Sequence, residues 1–511
     1  KSKISDTYFE GANIVLYTKD KDFFLDNNGI IKQIVDSIKK RVELRPDPAI
    51  CMEIEKAESV IREIIPKDAG EINLLFDIQR ALVTIEVEKP GIAIGKQGEV
   101  LKEIRRKSLW VPIIRRTPAI RSKIIENINH VLYENNDYRK KFLNNVGKRI
   151  YGGWTKGRVD EWVRVSFLGA GRQVGRSCLF LQTPESRILM DCGINVAAQS
   201  NEEMFPLLEA PEFKIEELDA VIISHSHVDH VAFLPYLYKM GFTGPTYLTA
   251  PTRDIAALLC LDIISIAQKE ANKPIYSSTD IKEMVKHAIC LDYGEVTDIT
   301  PDIRLTFYDA GHKLGSALCH LHIGNGLHNL VYTGDYLYEN SNLLSAAWTK
   351  FPRLETVIME ATYGSKKDTP PTRRECELFF TDIIKKTLER GGKVLVPVLG
   401  SGRAQEIMVI LDKLVREGTL QKIPVYVQGL VWDITAIHTA YPDFFNSRVK
   451  KLIYHKDENP FLNEMFKRVG SRKEMQDVVE EQGPCVILAT SGMLTGGSSL
   501  EYFKMLADNP K

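Results

Sequence analysis

The sequence predicts an α/β protein of layered sheets and helices, preceded by smaller α+β units. Three observations carry that expectation. From Trp162 onward, short β-branched runs such as Trp162–Leu168, Ser177–Gln182, Arg187–Met190 and Ala220–Ile223 alternate with amphipathic helical stretches. Before them, a strand pattern, a glycine pair and a basic helix follow one another within about 40 residues. The 511 residues are 44% hydrophobic and 26% charged, which excludes a disordered chain or a small disulfide scaffold and suits several globular domains.

The N-terminal units come first. Residues from about Tyr8 to Ile65 alternate helix and strand patterns around Asn27-Asn28-Gly29. Ala81–Val87 reads as a strand that continues through Pro90–Ile94 to Gly95-Lys96-Gln97-Gly98, and a helix follows with Val100, Leu101 and Ile104 on one face. Glycines spaced by two polar residues at a helix start let a phosphate backbone pass close to free N–H groups. Net charge is zero, with 67 basic and 67 acidic residues, so only local charge argues for a polyanion. Lys89–Lys123 holds ten basic residues against Glu99 and Glu103, a local net of +8. The segment resembles a KH domain, whose GxxG loop clamps about four nucleotides; the resemblance implies single-stranded RNA binding through Gly95, Lys96, Gln97, Gly98, Arg105 and Arg106. The earlier unit resembles a degenerate copy. Tyr151-Gly152-Gly153-Trp154 with Gly157 reads as a linker.

The layered region carries the chemistry. Ser224-His225-Ser226-His227-Val228-Asp229-His230 follows an apolar strand and precedes a helical run. Alternate extended positions project the same way, so His225 and His227 converge on one ion, and Asp229 and His230 face a second. Imidazoles and a carboxylate suit Zn²⁺ and related divalent metals. Later strands end in Asp309-Ala310-Gly311-His312 and Thr333-Gly334-Asp335, and an earlier one in Asp191-Cys192-Gly193. The eight cysteines form no Cys-x-x-Cys pair, which fits reduced thiols better than a thiolate metal site.

In this order the motifs resemble the metallo-β-lactamase superfamily. The resemblance implies two zinc ions: His225, His227 and His312 on one, Asp229 and His230 on the other, Asp335 bridging, and Asp191 orienting a ligand histidine and the nucleophile. His320, His322 and His328 read as strand or turn residues. Val357–Gly364, with Glu360-Ala361-Thr362-Tyr363-Gly364, resembles motif A of the β-CASP nucleases, in which Glu360 would assist protonation of the leaving oxygen. Gly400–Gln405 and Thr490–Leu494 resemble glycine loops of the same group. Gly169–Cys178 resembles the cleavage and polyadenylation specificity factor branch, and the KH-like units point to its archaeal ribonucleases.

The expected fold is therefore a metallo-β-lactamase αββα sandwich with an inserted β-CASP α/β domain, preceded by α+β KH-like domains. The expected boundaries are 1–70 and 71–150 for the KH-like units, 158–366 for the metallo-β-lactamase part and 367–511 for the β-CASP part. The implied activity is a zinc-dependent ribonuclease, Asp191, Asp229 and Glu360 being catalytic, that hydrolyses phosphodiester bonds in transcript 3′-end processing or termination. The rivals are a non-catalytic RNA-binding scaffold with a structural metal, a DNA-directed β-CASP nuclease and a small-molecule hydrolase. Expected partners are single-stranded RNA and the transcription machinery, in the cytoplasm and away from membranes, with a homodimer for the full-length protein.

No histidine follows His455, whereas β-CASP motifs B and C each carry one, so the sequence reads as lacking its C-terminal end. On that reading the second zinc site is weak or empty, Glu360 lacks its partner, apolar surface is exposed, and the implied activity can be lost in this chain. His438 and His455 sit outside the motif contexts.

Overall fold

The computed structural model describes residues 3–152 and 161–509. Gly153, Trp154 and Gly157 of the expected linker lie outside the described residues. Tyr151 and Gly152 end the helix Asn136–Gly152, where Tyr151 packs on Phe9 with ring centroids 5.2 Å apart.

The two N-terminal units share one topology. In the first, Asp6–Glu10 pairs antiparallel with Asn13–Thr18, which pairs parallel with Val42–Pro46. Helices Lys21–Leu25 and Ile30–Ile38 fill the crossover and flank the turn 26–29. The second repeats this with Ile72–Asp77, Leu82–Val87 and Val111–Arg116, and its helices Pro90–Ile94 and Glu99–Ser108 flank Gly95–Gly98. Pro90–Ile94 is thus a helix and not the strand its apolar run suggests. Pro90 sits at the first helical positions, where its fixed φ favours a helix and its missing N–H costs nothing. Helix Ile54–Ile64 buries Ala57 and Ile61 against Val83, Ile85, Ile104 and Trp110 of the second unit.

Two sheets form the central sandwich. One has six strands, ordered Ala288–Cys290, Thr246–Leu248, Ala220–Ile222, Arg187–Met190, Leu179–Gln182 and Arg164–Phe167. The other has five: Thr297–Asp298, Ile303–Asp309, Ala317–Ile323, His328–Tyr332 and Thr356–Ile358. Leu181, Ile188, Met190 and Ile222 from the first meet Leu305, Phe307, Cys319 and Leu321 from the second in a common core. Each strand alternates its side chains, so the opposite face of the six-stranded sheet packs on helices. There Phe180, Leu189 and Val221 meet Leu234 and Leu237 of the helix Leu234–Lys239, with Ala256 and Cys260 of Ala250–Lys269.

A third sheet, parallel throughout, is ordered Lys393–Pro397, Cys485–Ala489, Val425–Gln428 and Phe466–Val469. Its domain grips the sandwich through an apolar core shared with Ile255, Leu314, Leu343 and Leu344. Glu406 adds polar contacts, accepting from the Asn342 and Leu343 N–H groups at 2.7 and 3.2 Å. At the sandwich edge Val357 and Met359 are exposed, as are Leu378 and Phe379 of the helix Arg373–Glu389.

Candidate metal centre

The centre lies where several strands of both sheets end. Ala220–Ile222 runs into Ser224–His227, still extended, and His227 caps the short helix Val228–Val231. Backbone bonds pin this turn to its neighbours: Ser177 N–H donates to Asp229 O (2.8 Å) and Cys192 N–H to His230 O (2.7 Å). A Cβ on Gly193 would stand 1.9 Å from Asp229 O, and one on Gly334 2.4 Å from Ser224 Oγ. Only glycine admits such approaches.

His225, His227, His312 and Asp335 bring one ligand atom each to within 4.8 Å of one another. His227 Nδ1 is 3.1 Å from both His225 Nε2 and His312 Nε2. Asp335 Oδ2 is 3.7 and 3.6 Å from those two Nε2 atoms. A tetrahedral ion with bonds of ~2.0–2.1 Å spaces its ligands by about 3.3 Å, so the four atoms outline such a site. The other oxygen, Oδ1, faces His230 Nε2 at 3.3 Å, and Asp229 Oδ2 lies 3.7 Å from the same nitrogen. Asp335 thus serves two adjacent groups.

The rings are aimed by hydrogen bonds. Asp191 Oδ1 accepts from Ser224 N–H, and Oδ2 accepts from Ser224 Oγ–H, Tyr332 O–H and His230 Nδ1–H, all at 2.7 Å. Ser224 Oγ, its proton so engaged, accepts from His225 Nδ1–H at 3.0 Å. Each ring therefore turns its Nε2 inward. Asp191 holds φ +60°, a left-handed conformation a non-glycine residue seldom takes.

Electrostatics fit a cation. Burial holds His225 and His227 well below the usual histidine range, aided at His225 by the neighbouring imidazoles and at His227 by Lys313 and then the imidazoles, and burial takes His312 to about 4, so all three stay neutral donors. Burial also opposes a charge on His230, but Asp191, Asp335 and Asp229 outweigh it and hold His230 well above the ordinary value. Burial raises Asp229, whereas at Asp335 the pull of His230 and His312 wins and lowers it. Three carboxylates around one imidazole, beside converging lone pairs, form a donor set that suits divalent cations.

Other expected residues lie elsewhere. Glu360 stands just past the strand Thr356–Ile358; its N–H donates to Thr333 Oγ1 at 3.3 Å and its carboxylate accepts from Thr362 N–H at 2.9 Å, not from the cluster. His320, His322 and His328 bond Arg353 O, Asn329 Oδ1 and Thr356 Oγ1. Lys96, Gln97 and Arg106 are exposed on and after the GxxG turn, where Gly95, Gln97 and Gly98 all have positive φ. Arg105 does not join them: its guanidinium stacks 4.0 Å from the Phe24 ring centroid and donates to Phe24 O at 2.9 Å, tying the two units together. Ser224 and Tyr332 were legible only as parts of motifs, and nothing in their local pattern marks them as partners of Asp191. Nor does the local pattern mark Lys313, which is fully buried beside His312; burial takes its ammonium down to about 7 against the pull of Asp229 and Asp335.

The sandwich, its cluster of histidine and carboxylate donors and the third parallel sheet define a metallo-β-lactamase protein of the β-CASP type with KH-like units in front. Matching family descriptions are a transcription termination factor FttA KH domain over residues 1–51, a metallo-beta-lactamase superfamily domain over 180–361 and a Beta-Casp domain over 404–511. The chain is 49% identical to transcription termination factor FttA of Methanocaldococcus jannaschii, over all of this chain and 80% of that protein. It is 48% identical to the FttA of Methanothermobacter thermautotrophicus and 46% identical to that of Thermococcus kodakarensis, in each case over 99% of this chain and 79% of the relative. The chain belongs to the FttA family.

Proposed function

We propose that this chain is a zinc-dependent ribonuclease that captures single-stranded RNA and hydrolyses its phosphodiester bonds during transcription termination or transcript 3′-end processing. The observation that carries the reading is the divided carboxylate of Asp335, with one oxygen toward His225 and His312 and the other toward His230. Two divalent ions held by these residues would lower the pKa of a shared water and neutralise phosphoryl oxygens. The chain's own part is orientation. Asp191 fixes His230 and, through Ser224, His225; Asp229 and His230 complete the second group; Glu360, one strand from Asp335, is assigned to proton transfer at the leaving oxygen. The first group converges four donors and the second three, so the second ion is held more weakly.

Capture falls to the second KH-like unit. Gly95–Gly98 open the helix Glu99–Ser108 with backbone conformations that suit glycine, and Lys96 and Arg106 stand exposed beside them. The relatives are named transcription termination factors, and the same process, in the cytoplasm and beside the transcription machinery, is the setting inferred for this chain. No helix among the described residues is long and apolar enough to cross a membrane.

The test is metal content per chain, measured with cleavage of matched RNA and DNA oligonucleotides. Zinc near two per chain at saturation, with RNA cut and DNA spared, is the expected outcome. Cleavage of DNA alone would move the reading to a DNA nuclease, and bound zinc without cleavage of either would leave an RNA-binding scaffold.

A further inference from the structure

A cavity of about 960 Å³ opens on the outer sheet face of the second KH-like unit. Val83, Ile85 and Val87 of the strand Leu82–Val87 pack toward the helices that flank Gly95–Gly98, and the alternate residue Glu86 lines the cavity with Asn73 of the neighbouring strand. The facing wall is one side of the helix Lys123–Glu134, where Ile125, Asn129 and Tyr133 recur every four residues. Hydrogen bonds join the two walls. Glu86 accepts from Asn129 Nδ2 at 2.8 Å and from Asn73 Nδ2 at 2.9 Å, and Asn129 Oδ1 accepts from Arg115 at 3.2 Å. The carboxylate is thereby engaged by two amides, whose second N–H groups and the Asn73 carbonyl oxygen form a row of donors and an acceptor.

The end of the cavity at the helix start has a different chemistry. Ser122 is the N-cap of this 12-residue helix, yet its side chain caps no N–H group. Its Oγ has no hydrogen-bond partner in a residue only 5% exposed. The first N–H groups of the helix carry the positive end of its dipole. Arg121, Arg62 and Lys67 line the same cavity and are exposed. Of the acids there, Glu126 is held by Arg121 at 2.7 and 3.1 Å, and Glu71 is exposed.

Each part calls for a different feature of a ligand. An unpartnered hydroxyl at a helix N-terminus calls for an anion. A row of amides calls for a planar group with adjacent donors and acceptors, and an exposed tyrosine for a ring to stack on it. Ser122 and Asn129 lie about 10 Å apart along the helix, a span that the phosphate and base of one nucleotide bridge. We propose that this cavity binds a nucleotide, with its phosphate at Ser122 and its base among Asn73, Asn129 and Tyr133. A free nucleoside monophosphate and one nucleotide of an RNA strand offer the same chemistry. The site shares no residue with the GxxG turn or the metal centre. It goes beyond the ribonuclease reading and outlasts its failure, because a chain that binds nucleotides here and cuts no RNA keeps it.

The test compares wild type, Ser122→Asp, Asn73→Leu and Tyr133→Ala as full chains. The probes are the four ribonucleoside 5′-monophosphates, titrated by calorimetry, and a six-nucleotide single-stranded RNA, titrated in a His227→Ala background so that it stays uncut. Aspartate caps a helix as well as serine does, so Ser122→Asp should melt no lower than wild type while weakening all four monophosphates about tenfold by repulsion. Tyr133→Ala should cost about tenfold through lost stacking, and Asn73→Leu should narrow the differences among the four bases. These results assign the cavity to free nucleotides. Binding of the RNA alone, weakened by the same substitutions whether or not Gly98→Asp is also present, supports the site with a strand as its source. Affinities for both kinds of probe that match wild type in all three variants overturn it. Asn73 and Tyr133 are exposed, so their variants decide the outcome should Ser122→Asp fail to fold.

Discussion

At the metal centre His225 and His230 are fixed by buried hydrogen bonds before a ligand arrives, whereas at the GxxG turn the side chains that would meet RNA are free in solvent. His225 and His230 are aimed by Ser224 and Asp191, themselves buried. Lys96, Gln97 and Arg106 stand exposed around a turn shaped by Gly95 and Gly98. The contrast follows from what each site is asked to do. Developing charge is stabilised best by groups that need no reorganisation, so the centre invests in buried orientation. A moving strand is caught by accessible backbone N–H groups and mobile cations, whose worth falls with salt. The first KH-like unit sharpens the point: it has the same topology with Asp26-Asn27-Asn28-Gly29 at the equivalent turn, and an aspartate there repels a phosphate backbone.

If capture and cutting are separable in this way, single substitutions should split them. The largest effect is expected from His227→Ala, which removes the donor shared by two close contacts. RNA cleavage should fall at least ~1,000-fold while RNA affinity stays within about twofold; activity that persists with metal still bound would refute the ligand assignment. Asp191→Asn keeps the shape but cannot serve as acceptor to all its donors. Metal affinity or cleavage should drop about 10–100-fold, again with RNA binding intact. Gly98→Asp meets no atom within 4 Å of its Cβ but puts a negative charge on a left-handed turn. RNA affinity should weaken about tenfold and become less salt-dependent, while the rate at saturating RNA is kept; a fall in that rate instead would mean that the two sites are coupled.

The smallest effect concerns stability beside the centre. Asp309 ends the strand that leads to His312, and burial raises its carboxyl to about 6 from the ordinary 3.8. The folded state therefore keeps this proton to higher pH than the unfolded chain, and the carboxyl costs stability above pH 6. The cost shrinks as pH falls through 6 and is gone below the unfolded value. Asp309→Asn should gain about 1–3 kcal/mol at pH 8 and converge with wild type near pH 4, by denaturant unfolding. A gain that is independent of pH would point to packing.

Much of the centre was legible because its donors sit in local patterns. Residues two apart in an extended segment share a face whatever the fold, so His225 and His227 could be paired from sequence. The same local reasoning failed at Pro90–Ile94, where an apolar run after a strand looked like more strand and the proline's place in a first helical turn was decisive. It failed again at Arg105, which has the charge of a phosphate contact but lies over Phe24, about 80 residues away in the chain.

By itself the sequence determined the kinds of donor, their order, the glycines that let them approach, and the layered fold that alternating strand and helix patterns demand. These are short-range properties, set by covalent spacing and side-chain chemistry. Only the tertiary structure decided which oxygen of Asp335 faces which histidines, that Tyr332 and Ser224 anchor Asp191, and that Lys313 lies unpaired against a loop from another domain. Those facts depend on sheet register and domain packing, where residues more than 80 positions apart meet at distances that no local pattern encodes.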